Sequence, residues 1–333
     1  MKTTNRNLCG GKAMKLLSML AGLFVIYLIM AGIDASDSRA KAYLQDNTEA
    51  VLSGKFLVWV NREGGEEPIS IPPEEYRHPK ISPDGMQVAL TRTAGGVDKQ
   101  GIWILDLASK ETVRLTDGLH PIWTSGGKRI VYGARRQGHF VVVWKAVDGS
   151  GKEEQLASSP DKLLTPWCWS HDGNTLFIFE QPLNPNTNTN IATVSMIHKH
   201  GYQVLMKVNY DVCQPQISPN GQWLAYTSNE SGQNEVLVCP YPQVRKNRWQ
   251  ISQNGGDAPL WSPDGRELFF RSGGAVVAVP VKTDSAFSFE KQTVLFRGNY
   301  LAIDGHTVQT LEISPDGKRF LMLKPAGMVI DKR

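Results

Sequence analysis

Five residues stand directly before proline at recurring positions: His78-Pro79, His120-Pro121, Thr165-Pro166, Gln214-Pro215 and Ala258-Pro259. Two of the five are histidines. A neutral imidazole is a ligand for divalent metals, and it can also meet an acidic group. With the Gln214 amide opposite, His78 and His120 form a candidate ligand-binding set. Arg77 and Tyr76 extend it, because Tyr and Arg commonly anchor interfaces. No carboxylate obviously joins the three, which weakens a catalytic metal. The same positions also read as a hydrated polar lining.

Other chemistry leaves few marks. Gly-x-Ser-x-Gly, a phosphate loop, a dinucleotide fingerprint and His-Glu-x-x-His are all absent. Ser-x-x-Lys recurs, as at Ser159 with Lys162 and Ser288 with Lys291, but without its partner motifs. His198 and His200 lie two apart near the end of a predicted strand and read as solvent-facing edge residues. No catalytic residue, metal site or cofactor is therefore assigned.

The elements that must position the histidines announce themselves as repeats. Six turn motifs run Ser82-Pro83-Asp84-Gly85, Thr124-Ser125-Gly126-Gly127, Ser170-His171-Asp172-Gly173, Ser218-Pro219-Asn220-Gly221, Ser262-Pro263-Asp264-Gly265 and Ser314-Pro315-Asp316-Gly317. Their last glycines are 42, 46, 48, 44 and 52 residues apart. Pro presets the second turn position, Asp or Asn bonds nearby backbone, and Gly takes the positive φ that closes a hairpin. Strand-like apolar runs flank each turn, and two more strands follow in most repeats. A period of about 40–50 residues with four strands each predicts propeller blades. The pre-proline residues enter the innermost strand of each blade, where equivalent positions meet a central channel.

The sixth repeat has only two strands before the chain ends. Two strands at the front, near Phe56–Val60 and Glu67–Ser70, supply the missing pair. The expected fold is all-β: a six-bladed β-propeller over residues 54–324, blade six being closed by strands 56–70 and 309–323, with an N-terminal transmembrane helix. Residues 325–333 read as a tail. Longer, uneven loops share the end opposite the turns: 93–100, 135–139, 181–190, 228–234 and 297–309. Loops on a rigid scaffold carry recognition. Tyr210, Tyr300 and His306 also lie near that end.

The 333 residues carry a formal net charge of +4. Lys2, Arg6, Lys12 and Lys15 account for all of it, so the rest is neutral and lacks the basic face of a nucleic-acid binder. Residues 16–33 hold no charge. As a helix they would span about 27 Å, close to the ~30 Å hydrocarbon core. Residues 1–15 then read as a basic cytoplasmic tail, 16–33 as a signal-anchor helix and 34–53 as a polar linker. The run exceeds the about 7–15 residues of a cleaved signal, and Ile33-Asp34-Ala35 is a poor cleavage site. The expected location is a bacterial inner membrane, single-pass, with the propeller in the periplasm. Cys9 lacks the apolar stretch of a lipoprotein signal. Cys168, Cys213 and Cys239 read as small buried hydrophobes, or as one pair plus a leftover thiol.

Residues 54–324 resemble the TolB-like, WD-repeat-like propellers of bacteria. The resemblance is carried by residues 57–64, 224–232 and the segment from Ser314 to Met322. It is closest to the propeller region at the C-terminus of some bacterial membrane serine/threonine kinases. The kinase glycine-rich loop, catalytic-loop motif and Asp-Phe-Gly are absent here. The resemblance implies a binding platform for peptides or proteins. The expectation is a non-catalytic, membrane-anchored propeller that takes a protein or peptide partner on its long-loop face. Two alternatives stay open: a metal-dependent polysaccharide lyase or hydrolase using the channel-mouth histidines, and the sensor half of a split kinase system.

Overall fold

The computed structural model describes residues 54–93, 100–184, 186–197, 201–284, 286–300 and 311–326. The expected basic tail, anchor helix and linker lie outside these residues, as do His198, His200, His306 and most of the 325–333 tail. Among the described residues no helix is long and apolar enough to cross a membrane.

Among the described residues, twenty-five strands form six sheets. Strands β1 (Lys55–Asn61) and β2 (Glu66–Pro68) come first. Blade one holds β3 (Tyr76–Ile81), β4 (Gln87–Thr93), β5 (Gln100–Asp106) and β6 (Thr112–Thr116). Blade two holds β7 (Leu119–Trp123), β8 (Arg129–Arg136), β9 (His139–Ala146) and β10 (Glu154–Ser159). Blade three holds β11 (Lys162–Trp169), β12 (Thr175–Pro182), β13 (Asn190–Ser195) and β14 (Gly201–Met206). Blade four holds β15 (Val212–Ile217), β16 (Trp223–Ser228), β17 (Glu235–Pro240) and β18 (Trp249–Gln250).

Blade five departs from four strands. After β19 (Asp257–Trp261) and β20 (Glu267–Ser272), the long β21 (Ala275–Lys282) pairs twice. Its end takes β22 (Ser288–Phe289), and its start takes β23 (Thr293–Arg297). The last sheet runs β2-β1-β25-β24, joining β24 (Leu311–Ile313) and β25 (Arg319–Pro325) to the first two strands. Trp59 lies opposite Leu321, and the β1–β25 pairing is unbroken from Lys55–Pro325 to Asn61–Arg319.

Packing between blades makes the core. Neighbouring sheets share apolar layers, such as Leu57, Tyr76, Leu90 and Leu321 between blades six and one. Phe269, Phe320 and Met322 do the same between blades five and six. Cys213 and Cys239 are buried, Cys168 is half-buried, and none forms a disulfide. Burial raises the Cys168 and Cys239 thiols to about 12, as expected of thiols that serve as apolar filling.

The turns explain their own composition. Ser82 Oγ donates to Asp84 Oδ1 at 2.6 Å and accepts the Gln87 N–H at 2.9 Å, while Asp84 Oδ1 accepts the Met86 N–H at 3.0 Å. The same bonds recur at Ser170, Ser218, Ser262 and Ser314. The second blade has Gly126 where the others have an acid or amide, and keeps only the hydroxyl part, Thr124 Oγ1 accepting the Arg129 N–H at 3.3 Å. Each closing glycine also abuts the turn of the preceding blade. A Cβ on Gly85 (φ +75°) would lie 3.3 Å from Pro315 Cγ, so the turns of blades six and one touch. Gly127 stands near Pro83, Gly265 near Pro219 and Gly317 near Pro263 in the same way.

Two outcomes test this closure. Deleting residues 320–333 removes the strand laid along β1 and should lower the melting temperature by roughly 10 °C or more; an unchanged melt would refute it. Gly85→Val forces a β-branched side chain into a left-handed backbone and against Pro315, and should cost about 2 kcal/mol in urea unfolding.

Candidate functional site

The innermost strands carry a repeated irregularity. His78 and Pro79 together face one residue of β4, because the register slips between Arg77 and Lys80. The same slip occurs at His120-Pro121, Gln214-Pro215 and Ala258-Pro259. These are β-bulges, and the residue before each proline adopts positive φ: 50° at His78, 54° at His120, 54° at Gln214 and 51° at Ala258. Proline has no N–H for the ladder and excludes the right-handed helical region for its predecessor. A left-handed non-glycine residue costs about 1–2 kcal/mol. Blade three escapes: Thr165 stays in register with Phe179, and the bulge moves to Trp167.

Hydrogen bonds between blades hold the bulges. The His120 N–H donates to Thr91 Oγ1 of blade one at 3.3 Å. The Ala258 N–H donates to Gln214 Oε1 of blade four at 2.8 Å. Gln214 Oε1 also accepts the Thr227 hydroxyl at 2.7 Å, so both acceptor positions of that oxygen are engaged.

The structure brings His78 and His120 together, with ring centroids 3.7 Å apart and planes tilted by 42°. His78 is buried, and its Nδ1 lies 3.2 Å from Thr91 Oγ1. His78 Nε2 and Arg77 Nε are buried with no hydrogen-bond partner among the described residues, and so is Thr165 Oγ1 on β11. Burial drives the His78 pKa well below its ordinary value, helped by His120, Arg77 and nearby lysines. Burial, then Arg77, lowers His120 to about 3. Both rings are therefore neutral at physiological pH.

Charge gathers beside them. Lys55, at the start of β1, is buried and pairs with Glu75 Oε2 at 3.3 Å. Burial and Arg77 lower its pKa to about 8, against the pull of Glu75. At the other end of the same strands, Lys80 Nζ donates to Glu312 Oε1 at 2.6 Å, and burial raises the Glu312 carboxyl. The His end therefore offers two cations, one carboxylate and several unused polar atoms. That arrangement suits an anionic group. Among the described residues no cluster of three or more His, Cys, Asp or Glu could hold a metal.

The other residues singled out from the sequence have different places. Tyr76 is a core residue, 2% exposed, with its hydroxyl donating to the Pro72 carbonyl at 2.9 Å. Tyr300 is buried and donates to Glu66 Oε1 at 2.7 Å. Gln214 lies in the wall, tied to blade five rather than to the histidines. Lys55, Glu75 and Thr91 were not anticipated; the acidic pair Glu74-Glu75 just ahead of Arg77-His78 is the signal that could have found them. The 181–190 loop is pinned at its end, where the Thr189 N–H donates to Asp211 Oδ1 at 2.9 Å.

A family model described as the TolB beta propeller domain matches residues 64–238. Among curated proteins, the Tol-Pal system protein TolB of Francisella tularensis subsp. holarctica is 24% identical over 192 residues. That match covers 56% of this chain and 43% of the relative, so the chain spans less than half of the curated relatives it matches. Among solved structures, a putative TolB from Agrobacterium tumefaciens aligns with a TM-score of 0.61 at 17% identity, covering 82% of this chain and 98% of that one. An oligogalacturonate lyase in complex with manganese aligns with a TM-score of 0.52 at 13% identity, covering 83% and 98%. Likeness at these identities extends to the fold alone.

The neutral buried imidazoles make stability depend on pH. The unfolded chain takes up a proton at His120 near its ordinary value of 6.5, whereas the folded chain resists until about 3. Stability should therefore fall as pH drops below about 6.5 and continue falling toward 3. Urea midpoints between pH 7 and 5 should decline, and His120→Gln should flatten that decline. An unaltered slope in the variant would assign the effect to another group.

Proposed function

Because the chain belongs to the TolB β-propeller domain family, we propose that it is a non-catalytic binding propeller whose long-loop face and channel mouth take a protein or peptide partner. The observation that carries this reading is the pair of buried nitrogens without a partner among the described residues at the His end, His78 Nε2 and the Arg77 Nε donor, beside the Lys55 cation. An unpaired buried polar atom costs about 1–3 kcal/mol, which a bound acceptor removes. The partner therefore presents a carboxylate, from an acidic side chain or a chain terminus, to Arg77 and His78. The relatives named for the Tol-Pal system are consistent with a role in an assembly of proteins. Residues 16–33 would anchor the ring to the inner membrane with the propeller in the periplasm.

The lyase reading would place a divalent metal on His78 and His120. The two rings lie against each other with planes tilted by 42°, and no third ligand group joins them among the described residues. It is the weaker reading, and it is tested directly by metal analysis of the purified chain with an ultraviolet assay for unsaturated uronate products.

Photo-crosslinking from the 135–139 loop, on the long-loop face, in the native envelope should capture a defined partner. Arg77→Glu, which reverses the charge offered to a carboxylate, should reduce a wild-type chemical crosslink to that partner by tenfold or more. Recovery of no partner, or a crosslink indifferent to Arg77→Glu, would remove the support for this site. Deleting residues 1–53 should move the protein from the membrane to the soluble fraction.

A further inference from the structure

The outermost strand of a propeller blade leaves one row of backbone N–H and C=O groups unpaired, and natural sheets guard such edges with charge, proline or brevity. Five blades comply. The β2 edge carries Glu66, Glu67 and Pro68, β6 carries Arg114, β10 carries Glu154 and β23 carries Arg297, while β18 has only two residues. Strand β14 does not comply. Its sequence Gly201-Tyr202-Gln203-Val204-Leu205-Met206 holds no charge and no proline. It pairs with β13 on one side only, in regular register from Gly201 to Val204, and those four residues are exposed.

A groove of about 340 Å³ runs beside this edge, between Gln203, Val204 and Leu205 and the blade-four segment from Pro242 to Lys246. Val244 packs into the apolar layer below, which fixes the far wall. Arg245 and Lys246 stand exposed on the rim, and neither joins an ion pair among the described residues. Lys207, also exposed, follows the strand.

We propose that β14 and its groove dock an extended acidic segment of a partner protein, which adds to blade three as a fifth strand. Main-chain hydrogen bonds to the open edge supply affinity, and alternate side chains enter the groove. Arg245, Lys246 and Lys207 select acidic over basic sequences. The surface lies on the outer wall of the ring, apart from the channel mouth, so the two sites stand or fall separately.

The test uses the full chain and a fluorescent peptide alternating Val or Thr with Glu. Three results are expected. The peptide binds and slows amide exchange in residues 201–206; the double variant Arg245→Glu, Lys246→Glu weakens it about tenfold; and backbone N-methylation of the peptide abolishes binding. Equal binding of a peptide with Lys in place of Glu, insensitivity to N-methylation, or no binding by either peptide would overturn the proposal. Dimerisation of the chain that the double variant abolishes would assign the edge to a second copy, and would also overturn it.

Discussion

The antiparallel pairing of β1 with β25 is the interaction on which the other blades depend. Five of the sheets are built from consecutive chain, but each buries its faces only against its neighbours. A ring of such sheets has no free face only when the last joins the first. The seam does this with regular hydrogen bonding from Lys55 to Asn61 and with Leu57, Tyr76 and Leu321 packed across the junction. The turns repeat the closure at one end of the channel, where Gly85 abuts Pro315. Backbone pairing and turn contact thus enforce the same circle.

A closed circle can hold strain, and the channel wall contains it. Four residues before proline sit in left-handed backbone. Their cost is met by bonds that pass from one blade to the next, Thr91 to His120 and Gln214 to Ala258. The bulges also explain why two histidines from different blades come within 3.7 Å. An uninterrupted ladder alternates its side chains strictly, whereas a bulge re-aims the one it displaces. Neutrality of the rings follows first from their burial, and then from the cations nearby, Arg77 for both rings and Lys55 for His78.

Legibility in the sequence followed the range of the interaction concerned. The Ser-Pro-Asp-Gly turns are local, each held by bonds spanning five residues or fewer, so their repetition announced the six blades. The histidines were visible for a similar reason, because a residue before proline has few backbone choices. Tyr76 has the residue type of an interface anchor, and that type says nothing of the layer between two blades into which it packs. Gln214 carried the expected chemistry, but its oxygen bonds to a residue 44 positions away, a distance no local pattern encodes. Lys55 and Glu75 meet only because blade six lies against blade one. The second pairing of β21 depends on where the chain happens to fold back after Lys282.

Just beyond the β1–β25 pairing, the Ala326 N–H donates to the Gly54 carbonyl at 3.1 Å, where the two ends of the described ring meet. Lys55 is bridged to Glu74, next to the start of β3, so this gate opens on the histidine side of the disc. Whatever precedes residue 54 therefore joins the disc on the histidine side, beside Lys55 and Glu75.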